Sequence, residues 1–179
     1  MRITRFNEEV LFTKDPITSI NRIEIDELKT KARSNIRKRI RLCSHLDITD
    51  QVHEMLIVHS KNNYIRPHKH IGKSESFHII EGALDIIIFN DQGVIEKVNS
   101  LNEFGSGLPF YFRLSSSIFH TIVPKTDMVV FHETTSGPFV PKDTIFPNWA
   151  PSEDQDESIK LSYIYKLLDR ASEFMEQNN

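Results

Sequence analysis

The stretch of this chain best suited to chemistry is His68-Lys69-His70. On a strand, residues i and i+2 point to one face, so the two imidazoles can be offered to a single point. Glu75 follows after a turn-like Ile71-Gly72-Lys73-Ser74, which would return the next strand and set a carboxylate beside them, and Gly82 comes after six intervening residues. Pro67 restricts the backbone approach to His68. A fourth donor must come from farther along. His120 is the best candidate, because it opens a later strand after the small-residue turn Ser115-Ser116-Ser117; His45, His53, His59, His78 and His132 compete with it. His78 lies three residues beyond Glu75 and therefore on the opposite strand face, whereas His132 could point inward. Three neutral imidazoles and one carboxylate suit a divalent ion, with Zn, Fe, Mn and Ni all compatible, and an octahedral ion would keep positions open for water or a substrate oxygen. Polarisation of a carbonyl or hydroxyl for isomerisation or epimerisation, or oxygen activation by iron, are the reactions such a centre supports.

A second candidate group is the basic cluster Arg33, Arg37, Lys38, Arg39 and Arg41. In an extended segment Arg37, Arg39 and Arg41 share a face, and a guanidinium matches an oxyanion bidentately where an ammonium does not. Arg39 and Arg41, with Lys73 and Tyr64 as further candidates, are expected to contact a substrate bearing an anionic group such as a phosphate or uronate. An enzyme would also need a group to move protons. Tyr64, Glu81, Tyr111 and His132 are the candidates, Glu81 because it shares parity with Glu75, and the residues alone do not choose among them.

The elements that must position these groups change character along the chain. Asp26 can cap a short helix from Glu27 to about Arg33. From about residue 52 the period becomes two: Met55 to His59, Ser76 to Ile80, Leu84 to Phe89, Val94 to Val98, Phe110 to Leu114, His120 to Val123 and Met128 to His132 read as short strands. With no helices between them they predict an all-β sandwich or barrel, with Asn90-Asp91-Gln92-Gly93 as a hairpin turn. Residues 137–151 hold four of the eight prolines and the single Trp, and are expected to run extended over the barrel with Trp149 as an anchor. A helix from Ser158 to Met175 follows, its apolar face carrying Ile164, Leu167, Leu168, Ala171 and Met175. The expected organisation is one compact domain: an N-terminal arm (1–49), a barrel (50–135), and a strap with helix (136–179).

Composition narrows the function classes. The 179 residues are 39% apolar and 26% charged, ordinary globular usage that excludes a disordered or low-complexity chain. Basic residues number 22 against 25 acidic ones, a balance that argues against a nucleic-acid partner. The longest apolar run, Ile86 to Phe89, falls far short of the roughly 18 residues a membrane span needs. The first residues lack the apolar core of a secretory signal, and the lone Cys43 has no internal disulfide partner, so a cytoplasmic setting is expected. Strand edges and the amphipathic C-terminal helix predict a homodimer.

The His-x-His, Glu, Gly pattern resembles the first motif of the cupins, small jelly-roll barrels, and His120 occupies the place of the single His in their second motif. The chain departs from that second motif, with Ser115-Ser116-Ser117-Ile118-Phe119-His120 where cupins usually carry Pro-x-Gly-x-x-His, and Pro124 where they carry Asn. Over roughly residues 26 to 150, the runs RKRIRLCSH, YIRPHKHIGKSESFHIIEGALDIIIFNDQG, FHTIVP and GPFVPKDTIFPNWAP are similar to the WbuC-type cupin-fold metalloproteins of bacterial surface-polysaccharide gene clusters. The resemblance implies a cupin barrel and a divalent metal on His68, His70, Glu75 and His120. It leaves three readings open: an enzyme on a sugar or sugar-nucleotide intermediate, a non-enzymatic metal-dependent carbohydrate binder or regulator, and a structural metal site in an interaction protein.

Overall fold

Alternating burial along short strands organises residues 1–178, described here by a computed structural model. The N-terminal part contains β1 (Ile3–Arg5), β2 (Val10–Thr13), α1 (Arg22–Ser34) and β3 (Arg39–Cys43). Then come β4 (Val52–Ser60), β5 (Lys69–His70), β6 (Glu75–Glu81), β7 (Ala83–Phe89) and β8 (Ile95–Asn102). The chain continues through β9 (Tyr111–Leu114), β10 (Phe119–Pro124), β11 (Met128–Ser136), β12 (Thr144–Ile145) and α2 (Glu157–Asn178).

Strands β4 to β11 form two facing antiparallel sheets. One runs in the order β4-β11-β6-β9; the other is β10-β7-β8, and β5 approaches β10 where His68 and His120 exchange backbone hydrogen bonds of 3.0 and 2.9 Å. Eight strands shared in this crossed order wrap as a jelly roll, and the fold is of the cupin type. The space between the sheets is filled by Met55, Ile57, Phe77, Ile79 and Phe131 from one side and Leu84, Ile86, Ile88, Leu101 and Ile122 from the other. Each such side chain contributes about 1.5–3 kcal/mol on burial.

The N-terminal segment supplies strands as well as a helix. β3 pairs antiparallel with β4, β2 runs parallel to β3, and β1 closes antiparallel on β2, extending the first sheet to seven strands. Helix α1 lies on the outer face of that sheet, with Leu28 and Ala32 against Leu42, Leu56, Val58 and Val130. It begins earlier than the expected Asp26 cap. Asn21 accepts from the Ile23 N–H at 2.7 Å while the Glu24 carboxylate accepts from the Asn21 N–H at 2.9 Å, a reciprocal capping box that satisfies two of the free donors. Asp26 instead pairs with Arg22 one turn back.

Helix α2 covers the second sheet's outer face. Leu167 and Ala171 pack on Ile87, Phe89, Phe119 and Val123, so the apolar face expected to seek a partner chain meets this chain's own sheet. The strap between β11 and α2 is anchored as expected by Trp149, whose ring sits 5.1 Å from Phe89 and whose Nε1–H donates to the Asp91 carbonyl at 3.1 Å. Gly93 is required beneath it: its φ is +81° and a Cβ there would meet the indole at 2.7 Å. No helix among the described residues is long and apolar enough to cross a membrane.

Candidate metal centre

Two chain segments that are far apart in sequence deliver three imidazoles to one place. One ring nitrogen from each of His68, His70 and His120 lies within 4.8 Å of the others. His68 and His70 enter at the β5 edge of the second sheet, and His120, 1% exposed, faces them from β10. The Ile71–Ser74 turn then crosses to the first sheet, where Glu75 begins β6 on the interior face shared with Phe77 and Ile79. Glu75 Oε1 is 2.8 Å from His120 Nε2 and Oε2 is 3.7 Å from His70 Nε2. The closer pair lacks hydrogen-bond alignment, so His120 Nε2 remains a buried polar atom without such a partner among the described residues.

The other nitrogen of each ring is held from outside. His68 Nδ1 lies 2.9 Å from the Arg66 carbonyl, His120 Nδ1 lies 3.1 Å from the Ile118 carbonyl, and His70 Nδ1 is 3.1 Å from the Thr144 hydroxyl on β12. A carbonyl accepts from an Nδ1–H, which leaves the Nε2 lone pair of His68 and His120 free to ligate in the neutral rings. Burial pushes His68 down to about 3, with the neighbouring His120 and His70 adding to it, and burial lowers His70 as well. Burial alone would lower His120 and raise Glu75, but their mutual attraction outweighs it: His120 is raised and Glu75 lowered. The buried carboxylate thus requires a positive partner. A proton on His120 meets that need, and a divalent cation competes for the same place. Donor types, a partnerless buried nitrogen and outer anchors together fit a resident metal ion.

The centre opens into a cavity of about 440 Å³ between the sheets. Arg37, Arg39 and Arg41 line it, Arg39 and Arg41 from one face of β3 and Arg37 from the turn before that strand, together with Lys73, whose ammonium donates to the Pro138 carbonyl at 2.6 Å. The three guanidinium groups are not equivalent. Arg39 is committed to Glu9 at 2.7 Å, and Arg37 to Glu9 and Glu153 at 3.1 and 2.7 Å. Arg41 has no carboxylate within ion-pair distance among the described residues and rests its Nη1 3.9 Å from Met55 Sδ. A separate hollow of about 530 Å³ between the strap and α2 carries Lys166 as its one charged residue and no cluster of titratable groups.

Several expected site residues lie elsewhere. Tyr64 is buried away from the cavity, donating its hydroxyl to the Pro151 carbonyl at 2.7 Å and packing edge-on against Tyr163, so it fastens the strap. Glu81 does not share an inward face with Glu75: the register between β6 and β11 shifts near Ile80, a bulge that flips parity and turns Glu81 toward Lys29 and Arg22 of α1. His132 faces outward opposite Leu56 and His78, and Tyr111 is 51% exposed beside His78. Among the competing histidines, His45 and His53 stack on each other at 4.0 Å, and His59 is buried in the cavity wall. The residue sequence reasoning missed is Glu133. It follows Val129 and Phe131 on the interior face of β11 and lines the cavity, where burial, the Glu75 charge adding to it, pushes its carboxyl up to about 7. Strict alternation from Phe131 was the available signal.

Comparison with known proteins adds a domain model and distant folds. A domain of unknown function (DUF6016) matches residues 20–101, a stretch that includes His68, His70 and Glu75 but ends before His120. No curated protein matches the chain in sequence. Among solved structures, a Shewanella oneidensis protein overlaps with a TM-score of 0.47 and 12% identity, over 57% of this chain and 66% of its own. Bacillus subtilis oxalate decarboxylase overlaps with a TM-score of 0.47 and 15% identity, over 60% of this chain and 27% of its own. The Schizosaccharomyces pombe Cnp3 cupin domain overlaps with a TM-score of 0.43 and 11% identity, over 55% and 64% respectively. The chain spans less than two thirds of the length of each of these proteins.

Proposed function

We propose that this protein is a mononuclear metalloprotein of the cupin type, with His68, His70, His120 and Glu75 as ligands, and that it acts as an enzyme on a small sugar-like or anionic molecule held in the adjoining cavity. The observation that carries the reading is the convergence of three imidazoles within 4.8 Å, each with its Nδ1 held from outside. The donor set accepts Zn, Fe, Mn or Ni. When bound, such an ion polarises an oxygen of the ligand. The chain's own groups supply the rest: Arg41 orients an anionic group, Glu133 faces the cavity as a carboxyl able to hold or release a proton near neutrality, and Phe139 and Phe146 of the strap exclude water. Kinship with WbuC-type proteins, and with it a place in bacterial surface-polysaccharide synthesis, is part of this proposal and is supported by the sequence motifs alone. The homodimer is proposed on the exposed edge strand β9 and its neighbours Phe104 and Leu108, and sedimentation as a monomer at micromolar concentration would remove it.

The experiment is elemental analysis of the purified chain beside its His68→Ala and Glu75→Gln variants. One divalent ion per chain, lost or depleted in the variants, supports the centre. Equal, substoichiometric metal in all three overturns it.

A further inference from the structure

The cavity carries a second cluster that metal binding does not use. Arg41 on β3 and His59 on β4 both face the interior, Arg41 opposite Ile57 and His59 opposite Arg39 in the same antiparallel register. His59 is 7% exposed, its side chain makes no hydrogen bond among the described residues, and its Nδ1 is wholly buried without a partner. Burial, with the Arg41 charge adding to it, pushes this imidazole down to about 3, so it is a neutral ring able to donate one hydrogen bond. Ion pairs account for Arg37 and Arg39 but not for Arg41. Glu133, the carboxylate nearest to this end in register, stands outside ion-pair distance of Arg41. A half-buried guanidinium without a carboxylate and a partnerless buried imidazole on one cavity wall both lack what an oxyanion would bring.

Register also sets the distance scale. Arg41 reaches Met55, which pairs with Glu133 on β11, while Glu75 pairs with Thr135 two residues on. Two residues along a strand are about 7 Å.

We propose that Arg41 and His59 form an anion subsite that takes the carboxylate or phosphate end of the ligand, so that the ligand is a two-ended small molecule, anionic at one end and offering oxygens to the metal at the other. The second half of this statement rests on the proposed metal centre; the first does not. Arg41 supplies a fork of donors matched to two oxygens, and His59 supplies a single donor beside it.

Calorimetric titration of the full chain, both as purified and after treatment with a chelator, tests this with inorganic phosphate, acetate and succinate at fixed ionic strength. Phosphate or acetate should bind the chelated protein, and the tighter of the two names the group the subsite takes. Arg41→Met should weaken that binding about tenfold or more, and Arg41→Lys less. In the metal-bearing protein succinate should bind more tightly than acetate, an advantage that Arg41→Met abolishes. His59→Gln gives an independent comparison, with a several-fold loss, should Arg41→Met not fold. If neither probe binds the chelated protein, or if the folded variants bind as the parent does, the subsite is overturned. If the chain holds no metal but Arg41 still governs phosphate or acetate binding, the metal reading fails and the subsite stands.

Discussion

The two ends of the cavity treat their histidines in opposite ways. At the end proposed to hold the metal, His68, His70 and His120 each have one nitrogen tied to a carbonyl or hydroxyl supplied by the chain, so the free nitrogens are oriented before anything binds. At the other end, His59 has no tie at all among the described residues, and the neighbouring Arg41 lacks a carboxylate. The difference separates a preorganised centre, whose outer partners fix geometry, from a surface left polar and unsatisfied for a ligand to complete. It also explains why the strap matters: Thr144, which steadies His70, and Phe146, which packs 6.2 Å from the His68 ring, both come from it.

The comparison breaks most sharply at a ligand. His68→Ala should reduce metal affinity by more than the roughly 10–100-fold that loss of an outer partner costs, with phosphate binding at the Arg41 end retained; metal titration followed by elemental analysis reads the first and calorimetry the second. Next in size is Thr144→Val, which leaves all four ligands in place but frees His70 Nδ1. A roughly tenfold drop in metal affinity is expected, measured by competition with a chromophoric chelator, and an unchanged affinity would make the outer anchor decorative.

Two cavity-lining groups, His59 and Glu133, should also respond to pH with opposite signs. His59 is held neutral down to about 3, whereas its unfolded value is 6.5, so below 6.5 the unfolded chain binds the extra proton and stability falls as pH drops toward 3. Glu133 is raised from 4.5 to about 7, so its contribution is full below 4.5 and is lost as pH rises through 7. Glu133→Gln should therefore raise the melting temperature at pH 8 relative to the parent, by about 2–4 °C for each kcal/mol of relief, and narrow the gap at pH 5. Identical differences at the two pH values would refute the assignment. The smallest effect belongs to Tyr64→Phe, which removes a hydrogen bond to Pro151 outside the cavity: about 1 kcal/mol of stability by denaturant titration, with metal content unchanged.

What could be read from the sequence followed periodicity and spacing. The turn between His70 and Glu75 and the alternation of the barrel strands are local signals, and they led to the ligand candidates and to the sandwich. Features that depend on partners distant in the chain were not legible. A bulge near Ile80 arises from how β6 meets β11, so Glu81 could not be excluded from the interior by counting residues from Glu75. Arg39 and Arg41 look alike on one strand face; only the arrival of Glu9 from β2's flank distinguishes the committed guanidinium from the available one. The start of α1 is not decided by residue type, since Asp26 is a good cap by type while the Asn21 and Glu24 pair is better by spacing. His132 is the more suggestive residue by type, but the inward position belongs to its neighbour Glu133.

Trp149 is the single tryptophan of the chain, seated at one end of a strap whose other end carries Thr144 and Phe146 into the cavity wall. The chain therefore carries one indole beside four tyrosines, and indole emission excited to the red of tyrosine absorption comes from one environment rather than an average over several. The indole is clamped between the Asp91 carbonyl, Gly93 and the rings of Phe89 and Phe119. Any rearrangement that draws His70 and Thr144 together must be transmitted along only five residues before it reaches that clamp. Occupancy at the interior of the barrel is thereby expected to read out as an optical signal on its outer face, with no label added.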